Sequence, residues 1–427
     1  MALARVRSAT GRWFARGEVS TGWNYWNLYR EIAWYGILSG VTQTFTTVFA
    51  IRLGASNWLV GLLTSLPALA NVLFQLPAAR LVERESNRRR VLLLSGLLMR
   101  SPALFIALVP LLALEFQASA VVYITVLGTI PAALSNIAFT AMLADMVAPQ
   151  HRARVVSIRN IMLSAASTSV VLSAGQLLQV LPFPLGYQWI FFLAFLASLV
   201  SLYYVSRLEI PDAPSALPLA AQHKGSGLVG FFRDFRKQEN YLRYMLASFL
   251  CHWGLHFPVP LYSIYRVKVL GLADGWIGAL AMAESGATII GYYIWGRVAH
   301  RRGLGAVLWS GLLLLCLHPT GMALSTGPWP LFLVSCVSGL VGPAFNLGSF
   351  NALLEVAPRD SRATYVAVFN TAMNITGVIG PLLGTAAAAA VGVRQALLVA
   401  GGLRLLGFVA FVSLFGMHRL ASQREHA

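Results

Sequence analysis

The chain is a succession of apolar runs about twenty residues long, the length that carries an α-helix across the hydrocarbon core of a bilayer. This repetition limits its possible folds more than any other feature. Its 427 residues are 57% hydrophobic and only 11% charged, so the reading is a polytopic, all-α membrane protein. The net charge of +17 would suggest nucleic acid in a soluble protein. Here the basic residues lie between the apolar runs, where they orient spans, and no nucleic-acid partner is expected. Cys251, Cys316 and Cys336 fall inside apolar runs and read as small core residues, with no disulfide framework or paired-cysteine metal site.

Hydropathy places twelve spans near 31–52, 57–80, 91–114, 119–145, 154–180, 186–207, 243–270, 274–298, 305–325, 329–354, 363–391 and 394–417. Arg and Lys concentrate at the N-terminus, in the loops near 80–90, 150–159, 207–243, 297–302 and 359–362, and in the C-terminal tail. These are alternate loops, all on one side. Near the opposite side only Arg52, Arg266, Lys268 and Arg394 remain. By the positive-inside rule both termini are expected in the cytoplasm, for a protein of the cell (inner) membrane. Residues 1–30 are basic and aromatic, without the short apolar core and cleavage site of a signal peptide, and suit a cytoplasmic surface segment, with a disordered tail as the alternative. Pro211, Pro214, Pro218 and Gly225-Ser-Gly227 mark 209–240 as a cytoplasmic linker. It divides a six-helix unit at 31–208 from another at 241–418, with a tail at 419–427.

The two units repeat one another. Leu53-Gly54 and Gly61 recur 217 residues later as Leu270-Gly271 and Gly278. Asn136, Arg152-Ala153 and Asn160 recur 210 residues later as Asn346, Arg362-Ala363 and Asn370, with Asp145 matched by Glu355. Many secondary transporters are duplicated in this way. The loop after the second span reads Ala79-Arg-Leu81-Val-Glu83-Arg84-Glu-Ser86-Asn-Arg88-Arg89-Arg90, and its counterpart reads Gly296-Arg-Val-Ala-His300-Arg301-Arg-Gly303. Both are degenerate copies of glycine-x-leucine-x-aspartate-arginine-x-glycine followed by basic residues. On these motifs the chain resembles the major facilitator superfamily over nearly its whole length. The resemblance implies two pseudo-symmetric six-helix bundles that rock about a central substrate site. It also implies a cytoplasmic latch built from Glu83, Arg84, Arg88, Asp145 and Arg152, with Arg301, Glu355 and Arg362 in the second half.

In that family the first, fourth, seventh and tenth spans line the cavity. Mid-depth polar residues there are the candidate substrate contacts: Thr42, Gln43 and Thr46, Asn136 and Asn346, and His252, His256 and Tyr262. The seventh span, "CHWGLHFPVPLY", carries Pro258 and Pro260, which free the carbonyls of Gly254 and His256. The His-x-x-x-His spacing lacks further ligands, so no metal is expected, nor any other cofactor. Glu284 lies about eleven residues into the eighth span, roughly 16 Å deep. A carboxyl at that depth is costly unless it has a function or a partner, and burial favours its neutral form. Glu284 is therefore the main proton-coupling candidate, with His256 second. The alternatives for this acid are direct capture of a cationic substrate or a structural hydrogen bond, whose partner is expected among Ser164, Ser167 and Thr168 of the fifth span. Arg100 and Arg404, on spans the resemblance makes peripheral, are expected to snorkel or find a local partner.

Trp253, Phe257, Tyr262 and Tyr265, with one acid and few fixed charges, fit a proton-coupled exporter of amphipathic small molecules, working as a monomer. Against it, the Gly-Pro-x-x-Gly element of antiporters is absent from the fifth span and stands instead on the eleventh as Gly380-Pro381-Leu-Leu-Gly384. A proton symporter or facilitator for a sugar-like or other polar metabolite is the alternative, and a non-transporting receptor or assembly factor a third. No Gly-x-x-x-x-Gly-Lys phosphate loop or nucleophile–base constellation is present, so enzyme activity is not expected.

Overall fold

A computed structural model of the chain describes residues 19–84, 88–147, 149–208, 238–358 and 362–416. Regular structure among these residues is helical throughout. The first half contains α1 (Val19–Arg52), α2 (Asn57–Arg84), α3 (Arg88–Leu98) continued by α4 (Ser101–Leu108), α5 (Leu114–Met146), α6 (Pro149–Val180) and α7 (Leu185–Ser206). The second contains α8 (Glu239–His256) continued by α9 (Val259–Ile264), α10 (Asp274–Leu314), α11 (Leu317–Leu324), α12 (Pro328–Val356), α13 (Arg362–Val391) and α14 (Val393–Phe411).

Nine of the described helical stretches are long and apolar enough to cross a bilayer. One of them, Asp274–Leu324, is broken at Gly303, where φ is 82°, and so supplies two passes. With α1 and the interrupted α8–α9 rod, the path is consistent with twelve crossings. The first helix begins well before the expected first span, and Asn24, Asn27 and Leu28 are already buried against the bundle.

Apart from the turn at Gly303, the breaks in the third, seventh and ninth spans each lie at or just before a proline, which removes a donor and clashes with the carbonyl four residues back. Pro102 interrupts the third span, and Ser101 Oγ donates to the freed Leu98 carbonyl at 2.8 Å. Among the described residues, buried apolar side chains form three clusters whose membership reveals the tertiary arrangement. One holds residues of the first half only, including Leu28, Met142, Val155 and Leu208. A second holds residues of the other half only, including Tyr241, Leu308, Tyr365 and Phe411. The third joins both, with Phe45, Val60 and Val171 packed in one core with Leu261, Leu272 and Ala396.

The shared cluster sits at the ends of α1, α6 and α9 and the starts of α2 and α10, the face opposite the basic loops. Toward the basic face the described core residues fall in separate clusters. The described residues of the two halves therefore meet along α2 with α13 and α6 with α10, while those toward the basic side pack within their own half.

Candidate functional site

At the closed face the internal repeat becomes a reciprocal lock. Arg52, at the end of α1, donates to the Leu272 carbonyl at 2.7 Å and pairs with Asp274 at 3.2 Å. Lys268, near the end of the seventh span, donates to the Ala55 carbonyl at 2.6 Å and to Asn57 Oδ1 at 3.0 Å. Asn57 and Asp274 open α2 and α10 and are 217 residues apart, the spacing of the repeat. Each half thus bonds the equivalent helix start of the other. Alongside, α6 and α10 touch almost backbone to backbone. A Cβ on Gly278 would lie 2.9 Å from the Val171 carbonyl oxygen, so glycine is required for this approach.

Three of the four cations near this face are thereby accounted for, since Arg52 and Lys268 close the molecule and Arg394 caps a carbonyl. Arg394 donates to the Ala323 carbonyl at 2.8 Å. Arg266 lies within electrostatic reach of Glu284 and Tyr262, and its buried Nε has no hydrogen-bond partner among the described residues.

The seventh span breaks at Phe257 and Pro258 and ends in a π turn, Tyr265–Val269. Pro258 deprives the Gly254 carbonyl of its helical donor. Arg404 supplies a replacement, its Nε donating at 2.9 Å. The same guanidinium donates to the Leu315 carbonyl at 2.6 Å, which Pro319 frees in the same way, and to the Tyr262 hydroxyl at 2.8 Å. Of the two expectations for Arg404, a local partner holds; it is buried and does not snorkel. The Gly380-Pro381-Leu-Leu-Gly384 element of α13 lies against the break. A Cβ on Gly384 would come within 2.0 Å of the Phe257 carbonyl oxygen, and one on Gly380 within 3.0 Å of His256 Cβ.

Glu284 sits on α10, half-buried, and its hydrogen bond comes from the tenth span. Ser338 Oγ donates to Glu284 Oε1 at 3.2 Å and stands 3.1 Å from His318 Nδ1. The His318 ring stacks on Tyr262, centroids 4.4 Å apart, and Tyr262 accepts from Arg404. The expected partners Ser164, Ser167 and Thr168 are not the ones used. Tight helix packing explains why: a Cβ on Gly339 would come within 2.1 Å of the Glu284 carbonyl oxygen, so α12 approaches close enough for Ser338 to reach the acid. Sequence reasoning missed both Ser338 and His318; His318 directly precedes Pro319, which was its one available signal.

His256 Nδ1 lies 2.8 Å from Thr376 Oγ1 on α13, and His252 Nδ1 lies 2.7 Å from the Ser248 carbonyl. The two rings are neighbours, with centroids 5.7 Å apart. Asn136 and Asn346 are both exposed. Thr42 turns back on its own helix, donating to Leu38 at 2.8 Å; Gln43 is exposed and donates to Ser39 Oγ at 2.8 Å; Thr46 is buried. The side chains of Glu83, Arg84, Arg88, Asp145, Arg152 and Arg362 lie outside the described residues, while Arg301 and Glu355 are exposed on the basic side.

The expectation of one acid and few fixed charges is too spare. The first half buries a second acid, Glu31, which accepts from Arg159 at 2.8 Å and from Ser201 at 3.3 Å and lies 4.0 Å from Arg100. Arg100 also donates to the Gly96 carbonyl at 2.8 Å and to Ser201 Oγ at 2.9 Å, so it too has local partners and does not snorkel. Arg159 stacks over Phe139 at 4.5 Å. A groove of about 590 Å³ on the flank of the second to fourth spans is lined by Phe74, Phe105, Leu127 and Leu134, with no charged side chain among the described residues lining it.

Two helical bundles locked at one face, whose described core residues fall in separate clusters toward the other, with charges buried in each, define a multi-pass, two-bundle membrane protein. Residues 32–346 and 245–426 match the family model described as Major Facilitator Superfamily, and the chain belongs to that family. It is 28% identical over 187 residues to a staphyloferrin B transporter of Staphylococcus aureus, covering 43% of each chain. It is also 29% identical over 136 residues to the multidrug resistance protein MdtH of Photorhabdus laumondii, covering 31% of this chain and 33% of that one. The matched stretches thus span less than half the length of these relatives. Among solved structures, a bacterial homolog of the human lysosomal transporter Spinster, in an inward-facing and unoccupied conformation, superposes with TM-score 0.69 at 16% identity, over 93% of this chain and 98% of that one. A D-xylose–proton symporter superposes with TM-score 0.67 at 12% identity, over 91% and 96%. At such identities these two show the fold alone.

Proposed function

We propose that the protein exports small amphipathic compounds by alternating access, with proton entry at Glu284 driving the cycle. The observation that carries the reading is Glu284 itself, a carboxyl within a span, hydrogen-bonded to Ser338, which in turn touches His318. Such an acid can hold a proton while its neighbours accept or return it. The chain Glu284–Ser338–His318 runs inside the second half, so its rearrangement on protonation acts on the seventh, eighth, ninth and tenth spans together. His256, bonded to Thr376, offers a second proton-handling group beside the seventh-span break.

Supporting an organic cargo, the relatives include proteins named for multidrug resistance and for staphyloferrin B transport. Thr42, Gln43, Thr46, Asn136, His252, Tyr262 and Asn346 serve as polar contacts. The working unit is a monomer in the inner membrane with both termini in the cytoplasm. The halves span 31–208 and 241–418, joined by a cytoplasmic linker at 209–240. On this reading the basic face opens to the cytoplasm, and the lock at Arg52 and Lys268 closes the outer face.

The test is proton flux into proteoliposomes carrying a pH dye, with wild type and Glu284→Gln challenged by drug-like amphiphiles, sugars and small organic acids. A substrate-triggered flux lost in the folded variant is the expected result. Unchanged coupled flux in Glu284→Gln would remove the acid from the mechanism, and flux triggered by sugars alone would favour the symporter reading.

A further inference from the structure

The Glu31 cluster is more than an internal salt bridge, because its charges do not balance. Glu31, Arg100 and Arg159 line a cavity of about 120 Å³ together with Tyr35, Ser135 and Asn136. Among the described residues lining it, two guanidiniums face one carboxylate, which leaves an excess positive charge. Both arginines are buried, with relative exposures of 4% and 8%. An unmatched buried cation is expensive unless a counter-charge arrives. Arg100 Nε is buried with no hydrogen-bond partner among the described residues, so its donor set is not fully used. The cavity lies toward the basic face, where the described core residues of the halves fall in separate clusters, and Asn136, one of its lining residues, is exposed. Its volume equals the liquid share of about four waters, which admits a small anionic head group but not a whole organic cargo.

We propose that this cavity is a subsite for the carboxylate of the transported compound, so that the cargo is an amphipathic organic acid. The inference rests on the transporter reading above and narrows its substrate class. The planar guanidinium fork suits a carboxylate, and the apolar body of such a cargo would extend along Tyr35 and Phe139. Glu31 then acts as the resident anion: it shares the two arginines when the subsite is vacant and competes with the cargo for them. That competition makes Glu31 a specificity residue.

Three probes with one apolar body and different head groups test this on the purified full-length protein: 4-phenylbutyrate, 4-phenylbutan-1-ol and 4-phenylbutylamine, titrated by calorimetry at neutral pH. The acid is expected to bind about tenfold or more tighter than the alcohol, with the amine weakest. Glu31→Gln, which removes the competing anion, should tighten the acid further, whereas Arg100→Gln should erase the preference. A merely structural ion cluster would not gain anion affinity in Glu31→Gln. Equal affinity for acid and alcohol in wild type overturns the proposal even if the variants fail to fold. So does an acid preference that survives Arg100→Gln in a protein of unchanged melting temperature. Flux of the same probes in proteoliposomes separates the two readings. Transport of alcohol and acid alike leaves the transporter standing and removes the subsite; tight binding of the acid with no probe crossing does the reverse.

Discussion

Replacing Arg52 by Gln should release the closed face. In the lock Arg52 makes a charged hydrogen bond to the Leu272 carbonyl at 2.7 Å and an ion pair with Asp274 at 3.2 Å. A hydrogen bond from a charged donor is worth about 1.5–3 kcal/mol. The ion pair is discounted because its side chains are 29% and 14% exposed, which places it near the surface-pair range of about 0–1 kcal/mol. Together the contacts favour closure by about 2 kcal/mol, which corresponds to roughly a thirtyfold change in the closed-to-open ratio. Spin labels at Leu114 and Val391, both exposed near this face on opposite halves, report the gap by pulsed electron resonance in a background with the three cysteines replaced. Arg52→Gln should transfer population from a single short distance to a longer one, and the double variant with Lys268→Gln should transfer more. An unchanged distance distribution in the double variant, measured in both detergent and bilayer, would refute the reasoning and leave the closed face held by its apolar cluster alone.

Arg404→Gln should lower stability by about 2–4 kcal/mol, since two proline-freed carbonyls and the Tyr262 hydroxyl lose their donor at once; a melting temperature equal to wild type would contradict that role. Gly278→Val should disfavour the closed face by driving a side chain into the Val171 carbonyl, and the same spin-label pair should read the longer distance. On the basic side, Arg84→Ala should slow turnover with little change in equilibrium substrate binding. A large affinity loss with normal turnover would argue against a latch.

The spacing of the apolar runs determined the class of fold, because a hydrocarbon solvent leaves few ways to satisfy a backbone and the length of a crossing is set by bilayer thickness. The distribution of Arg and Lys distinguished the two faces, and the offset of 217 residues showed the duplication. Glu284 was legible for the same reason, as a carboxyl in an apolar run stands out without any structure. Its partner was not legible. Ser338 and His318 are ordinary residues in sequence, 54 and 34 positions away; only the close approach of α12 at Gly339 brings Ser338 to the acid, and His318 of α11 joins through Ser338.

Glu31 was hidden by the opposite effect. It lies among polar and aromatic residues at the start of the first expected span, where a charge looks solvated, and only the packing of α1 against α6 and α7 buries it between Arg159 and Arg100. Nor could hydropathy show that Arg404 serves two broken helices, since Gly254 and Leu315 come together only when the seventh, ninth and twelfth spans pack. Local sequence sets which groups must avoid lipid. Which groups then satisfy one another depends on contacts between residues far apart in the chain, and those exist only once the two bundles are assembled.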